Sequence, residues 1–294
     1  MTDTTSNASL EAALSVCKNS PDIRVLRRVT ALEEFSLQPR GELPTSRIGI
    51  VDTETTGTDP LIDEIIDVAV VILDVDHEGE IVGIASAAQA LRDPGMPIPT
   101  AITRLTGIAD SDVSGRTIDL GRLERRLASA DVLIGHNCSF DAAFLEQLVP
   151  GMAGAAWACS AKDFDWSEAG FDGRKLGHLL MQIGRFADAH RAMSDVVSLI
   201  HLLAHRLPRG TTVLRDLLAN AARRTIRFEA TGAAYERRGW LKARGYQWDA
   251  RNGVWWREIG EDECAAEQHW FRETISPAGR APRMTPVTWN QRHR

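Results

Sequence analysis

Two carboxylates stand two positions apart in Val51-Asp52-Thr53-Glu54-Thr55-Thr56-Gly57, where an apolar stretch through Ile48 and Ile50 meets a glycine turn. Read as a strand, that stretch points Asp52 and Glu54 to the same side of its end. Like charges a few ångströms apart raise at least one pKa unless a cation neutralises them. A hard divalent ion such as Mg²⁺ or Mn²⁺ prefers carboxylate oxygen and is the natural occupant. An Asp-x-Glu pair also fits a merely solvated turn, so the choice rests on partners elsewhere in the chain.

Two further elements offer them. Gly135-His136-Asn137-Cys138-Ser139-Phe140-Asp141 follows the apolar stretch 132–134, and Asp141 opens a helical run containing Ala142, Phe144, Leu145 and Leu148. A carboxylate in that position also simply suits the helix dipole. Ala189-His190-Arg191-Ala192-Met193-Ser194-Asp195 leads into the apolar helical run 196–203. Residues five apart differ by about 140° around a helix, so His190 and Asp195 reach one site only if His190 lies on the preceding turn. An aspartate on an otherwise apolar helix needs a partner, and a metal ion supplies one. His178, His201 and His205 lie in or near apolar helical runs without an HExxH arrangement and are read as surface or helix-end residues.

DTETTG, GHNxxFD and HRAxxxD, in that order over about residues 47–206, resemble the three motifs of the DEDDh 3′–5′ exonucleases; Thr106-Gly107-Ile108 also looks like a family segment. The motif wording is most similar to the epsilon proofreading subunit of bacterial DNA polymerase III. Position by position, the resemblance implies that Asp52, Glu54, Asp141 and Asp195 bind two divalent ions, Mg²⁺ or Mn²⁺, and that His190 is the general base. It also favours Thr53, Thr55, Thr56 and Phe140 as contacts to the terminal nucleotide. Core packing for Phe140 and turn-building for the threonines are the structural alternatives.

The chemistry agrees independently. Phosphodiester hydrolysis needs a nucleophilic hydroxide and charge stabilisation on both the attacking and leaving oxygens, and two ions roughly 3.5–4 Å apart do both. Histidine, with an ordinary pKa of about 6.5, suits taking a proton from water near neutral pH.

The elements that must position these groups are a strand at 48–51, a β-branched strand at 64–73, an antiparallel partner at 81–90, a helix at 118–128 and a strand at 132–134. Strands first paired antiparallel and then alternating with helices predict an α/β fold with a mixed β-sheet flanked by helices, ribonuclease-H-like by the resemblance. The expected organisation is an N-terminal helix and arm over 1–46, with Ser9 capping the helix. An exonuclease domain over 47–207, a linker helix over 208–224, a small Trp-rich α+β unit over 225–275 and a flexible basic tail over 276–294 follow.

Six of the eight tryptophans, Trp240, Trp248, Trp255, Trp256, Trp270 and Trp289, lie after Thr225. They are expected to be the core of a small unit that has few residues with which to build one. Tyr246 to Trp248 and Val254 to Arg257 read as a hairpin turning at Asn252-Gly253.

The net charge of −6 hides an asymmetry. From Arg206 onward there are 17 of the 34 Lys+Arg but only 10 of the 40 Asp+Glu, a local excess of seven positive charges. An acidic body with a basic end suits metal chemistry beside an anionic ligand. The polar start, the absence of a long apolar run and four scattered cysteines without a CxxC pair predict no secretory leader, no membrane segment and a reducing cytoplasm.

The expected function is removal of nucleotides from a free 3′ end with release of 5′-monophosphates. DNA is favoured over RNA, with a DNA polymerase or repair partner. The alternatives are a 3′–5′ exoribonuclease and a binding or docking module with a relic site.

Overall fold

The computed structural model describes residues 12–17, 19–37, 44–276 and 279–293; Ser9 and residues 38–43 of the expected N-terminal arm lie outside them. The chain divides into two compact units, Met1–Leu218 and Ala219–Arg294.

In chain order the first unit runs α1 (12–17), β1 (Arg27–Arg28), β2 (Ser46–Thr55), β3 (Ile65–Val75), β4 (Ile81–Leu91), α2 (Thr100–Thr106), α3 (Asp110–Val113), α4 (Leu120–Leu127), β5 (Val132–Gly135), α5 (Ser139–Leu148), β6 (Trp157–Cys159), α6 (Leu176–Gln182), β7 (Arg185–Phe186) and α7 (Ala192–Leu203). Helix α8 (Val213–Ala221), within the expected 208–224 linker, contains the division between units.

The main sheet has the order β4-β3-β2-β5-β6. β2 and β4 pair antiparallel with β3, while β5 pairs parallel with β2 and β6 parallel with β5. This is the mixed sheet with flanking helices that the sequence implied. The expected arm contributes β1, paired in parallel with β7.

All of β3 except Asp74 is buried, which explains its near-continuous apolar sequence: a strand covered on both faces cannot alternate. Val51, Val68, Val70 and Ile72 form one face and pack with Leu123 and Leu127 of α4 and Phe144 and Leu145 of α5. By alternation Ile50, Asp52 and Glu54 belong to the other face. Helix α7 packs on β2 and β3, and because its Asp195 reaches Glu54, it covers that second face.

The second unit is an antiparallel sheet of order β11-β8-β10-β9, built from β8 (Thr225–Glu229), β9 (Gln247–Asp249), β10 (Val254–Gly260) and β11 (Arg283–Val287). Its helices are α9 (Arg238–Ala243) and α10 (Cys264–Trp270). The hairpin turning at Asn252-Gly253 is present, with Trp248 opposite Trp255.

Two expectations are corrected. The core is formed by Phe228, Leu241, Tyr246, Ile259, Phe271 and Ile275, with Trp255 and Trp270 only partly buried against it. Phenylalanine, tyrosine and aliphatic side chains fill the layer between sheet and helices, leaving Trp240 and Trp248 more than half exposed.

The segment after Ser276 is not a tail throughout. Arg283 to Val287 form an edge strand on β8, and Pro286 is tolerated there because an edge strand needs no donor on its outer side. Arg292 donates to Glu258 and to the carbonyls of Ala221 and Arg223. Truncation after Ser276 should therefore destabilise this unit. Arg292→Ala, which removes charge-assisted bonds, should cost about 1.5–3 kcal/mol. Urea unfolding followed by tryptophan fluorescence checks both, since an unstructured tail would leave the curves unmoved.

Candidate functional site

Three strand or helix ends converge at the C-terminal end of β2. Asp52 pairs in register with Ala69 and Glu54 with Asp67, so these four positions share one sheet face. The register shifts just after Glu54, where β2 ends.

β5 ends at Gly135. A Cβ there would come within 3.2 Å of Asp141 Oδ2 and 3.0 Å of the Cys138 Cβ, so glycine permits the close return of the chain. Asn137 takes positive φ (72°) in the turn into α5. Asp141, in the first turn of α5, is buried and accepts the Thr53 backbone N–H at 2.9 Å and the Thr53 hydroxyl at 2.8 Å, both on Oδ1. Those bonds tie the second motif to the first.

The third motif sits on the turn before α7 and its first helical residues. His190 has φ +66°, uncommon for a non-glycine residue, and its backbone N–H donates to Asp195 Oδ2 at 2.8 Å. Ligand atoms of Glu54, His190 and Asp195 all lie within 4.8 Å of one another.

Burial raises the pKa of Asp52 well above the usual carboxylate range, and Asp141, Asp195 and Glu54 push it further. Burial, then Asp195, Asp67 and Asp141, push Glu54 up to about 8, with Arg191 opposing. Burial raises Asp141 to about 7 against the two Thr53 hydrogen bonds. Asp195 is raised by burial and lowered in part by His190. Phe140 packs against Phe144 at a ring separation of 4.8 Å and is partly buried.

The three threonine hydroxyls are committed within the protein: Thr53 to Asp141, Thr55 to the Gly57 carbonyl and Thr56 to Asp63. His136 divides its ring nitrogens between Ser160 Oγ and the Arg174 carbonyl, both at 2.8 Å, and His201 contacts Thr30.

Sequence reading missed Asp67. It is completely buried, accepts from Gln89 Nε2 at 2.7 Å and lies 3.9 Å from Arg191 Nε. Its Oδ1 has no hydrogen-bond partner among the described residues. The available signal was a charged residue inside a β-branched run, which periodicity treats as noise until register pairs it with Glu54.

A divalent cation fits this donor set. The donors are hard oxygens with one imidazole; the carboxylates are buried among like charges, and one buried carboxylate oxygen is unpartnered. Without an ion the carboxylates hold protons that they release in the unfolded chain. Their folded pKa values are raised, so the folded state binds more protons above about pH 4, and stability falls as pH rises toward 8. We expect the melting temperature of EDTA-treated protein to drop between pH 5 and 8 and Mg²⁺ to raise it by about several degrees, most at pH 8. Asp52→Asn should raise the EDTA melting point and lose the Mg²⁺ response; differential scanning fluorimetry reads both.

The exonuclease family model, described as RNase_T, matches residues 50–203. A DNA polymerase III PolC-type protein of Listeria innocua is 37% identical over 98 residues, 33% of this chain and 6% of that protein. A DNA polymerase III subunit epsilon-like protein of Rhodobacter capsulatus is 34% identical over 125 residues, 39% of this chain and 17% of that protein. The matches thus span a small part of those relatives. Escherichia coli Exonuclease I, solved with a dA16 oligonucleotide, aligns over 62% of this chain and 48% of its own at 18% identity and a TM-score of 0.45.

Proposed function

Because the chain belongs to the exonuclease family, we propose that it is a metal-dependent 3′–5′ exonuclease that removes nucleotides singly from a DNA 3′ end and releases nucleoside 5′-monophosphates. The observation that carries this reading is the convergence of Asp52, Glu54, Asp141 and Asp195, from three distant chain segments, beside His190.

In this reading the four carboxylates hold two divalent ions, Mg²⁺ or Mn²⁺. When bound, the ions supply Lewis-acid stabilisation of charge on the attacking and leaving oxygens. Thr53 fixes the Asp141 carboxylate, and the His190 amide fixes Asp195, so the donors are held before substrate arrives. His190, exposed at the site, takes the proton of the attacking water. The turn built by Thr55 and Thr56 shapes the mouth of the site, and the partly exposed edge of Phe140 meets the terminal base.

DNA is preferred over RNA in this proposal because the identified relatives are DNA polymerase III proteins. Proofreading- or repair-like work with a polymerase partner follows from the same likeness. Among the described residues no helix is long and apolar enough to cross a membrane, and no cysteine is disulfide-bonded, which suits a reducing cytoplasm.

The test is a gel time course on 5′-labelled single-stranded DNA and matched RNA with Mg²⁺, EDTA, Asp52→Ala and His190→Ala. The expected result is a Mg²⁺-dependent ladder shortening from the 3′ end, faster on DNA and absent in Asp52→Ala. His190→Ala should lose about 10²–10⁴-fold in turnover while keeping its Mg²⁺-induced thermal shift. Faster shortening of RNA would make the chain an exoribonuclease. Intact strands with well-folded, Mg²⁺-loaded protein would leave only a binding or docking role for the site.

A further inference from the structure

The second unit contains a groove that the nuclease chemistry does not use. It lies between α9, with the turn before it, and the β9–β10 hairpin, and encloses about 780 Å³. This falls within the roughly 300–1,000 Å³ range of sites for small organic ligands. Its walls include Tyr235, Trp248 and Trp255 and two cations, Arg238 and Lys242, and no acidic side chain among the described residues lines it.

The rings are offered rather than stored. Tyr235 is 72% and Trp248 52% exposed, although large apolar surfaces are costly to leave in water without a partner. Trp248 and Trp255 stand opposite each other across the hairpin, with ring centroids 5.4 Å apart and planes at 55°. The Arg238 guanidinium lies 3.8 Å over Tyr235, and Lys242 Nζ lies 5.8 Å from the Trp255 ring centre. Each cation therefore sits beside an aromatic face.

We infer that this groove binds single-stranded nucleic acid, stacking bases on Trp248 and Tyr235 and placing phosphates against Arg238 and Lys242. Base stacking uses the π-face common to all four bases, and the two cations supply sequence-independent attraction to the backbone. An aromatic groove without cations would equally suit a proline-rich peptide; charge complementarity selects the anionic polymer. The inference rests on the nuclease reading only for choosing nucleic acid among aromatic anions, and its test separates the two.

The experiment uses the full chain in EDTA, which stops metal-dependent cleavage, and follows fluorescence anisotropy of a short 5′-fluorescein oligothymidylate over a salt series. Trp248→Ala and the double variant Arg238→Glu with Lys242→Glu alter exposed side chains. Circular dichroism and urea curves confirm their folding. Hydrolysis of p-nitrophenyl thymidine 5′-phosphate with Mn²⁺, a substrate too small to span two sites, reports the first unit alone.

We expect each variant to bind the oligonucleotide at least about tenfold more weakly. The double variant should also flatten the log–log salt slope by about 1.4, the value for two phosphates on a single strand. Hydrolysis of the small ester should stay at the parent rate. Unchanged affinity and slope in folded variants would overturn the inference while leaving the nuclease intact. Trp248-dependent binding of a labelled proline-rich peptide with no oligonucleotide binding would reassign the groove to peptides and overturn it too. Trp248-dependent strand binding by a parent that hydrolyses nothing would uphold the groove and sink the nuclease reading.

Discussion

The structure depends on keeping like charges close together where water cannot screen them. Asp52, Glu54, Asp67, Asp141 and Asp195 crowd one end of a sheet whose neighbouring positions are apolar, and each is raised above its ordinary pKa, chiefly by burial. Such an arrangement does not persist by accident. It is held by bonds that fix each carboxylate: Thr53 on Asp141, the His190 amide on Asp195 and Gln89 on Asp67. The fold's stability comes from the doubly covered β3 and its partners, and the carboxylates work against it until protons or cations join them.

Much of this was legible in the sequence because each motif adjoins an element with a strong signal. The β-branched strand, the apolar 132–134 segment and the amphipathic helices fixed where Asp52, Glu54, Asp141 and Asp195 would stand. The turn ahead of α7 was required by helical geometry alone if His190 and Asp195 were to share a site. Asp67 was illegible because its neighbours are set by cross-strand register, which brings together residues 13 positions apart. Local pattern contains no such information. The edge strand at Arg283–Val287 was hidden for a related reason: proline and basic residues describe an edge strand and a loose tail equally well, and only the exposed side of β8 decides between them. Tryptophan count misled similarly, since number says nothing about which rings face inward.

The two units divide the electrostatic work. The first concentrates negative charge around its buried carboxylates. The second, by contrast, holds most of its carboxylates in ion pairs with arginine, as in Glu229 with Arg227 and Arg283, Glu267 with Arg244, and Glu258 with Arg292. Exposed cations such as Arg238 and Lys242 lie outside those pairs.

The parallel pairing of β2 with β5 has a consequence in time. The β2-β3-β4 meander joins strands that follow one another along the chain, whereas the bond from Thr53 to Asp141 closes a loop of 88 residues. Loop-closure entropy makes such long-range contacts late events in folding. A chain emerging from the ribosome displays Asp52 and Glu54 well before Asp141, and Asp195 later still. From residue 54 to residue 141 the growing polypeptide therefore carries only half of the four-carboxylate set, and the set is complete only once α7 has been made and has packed on β2 and β3.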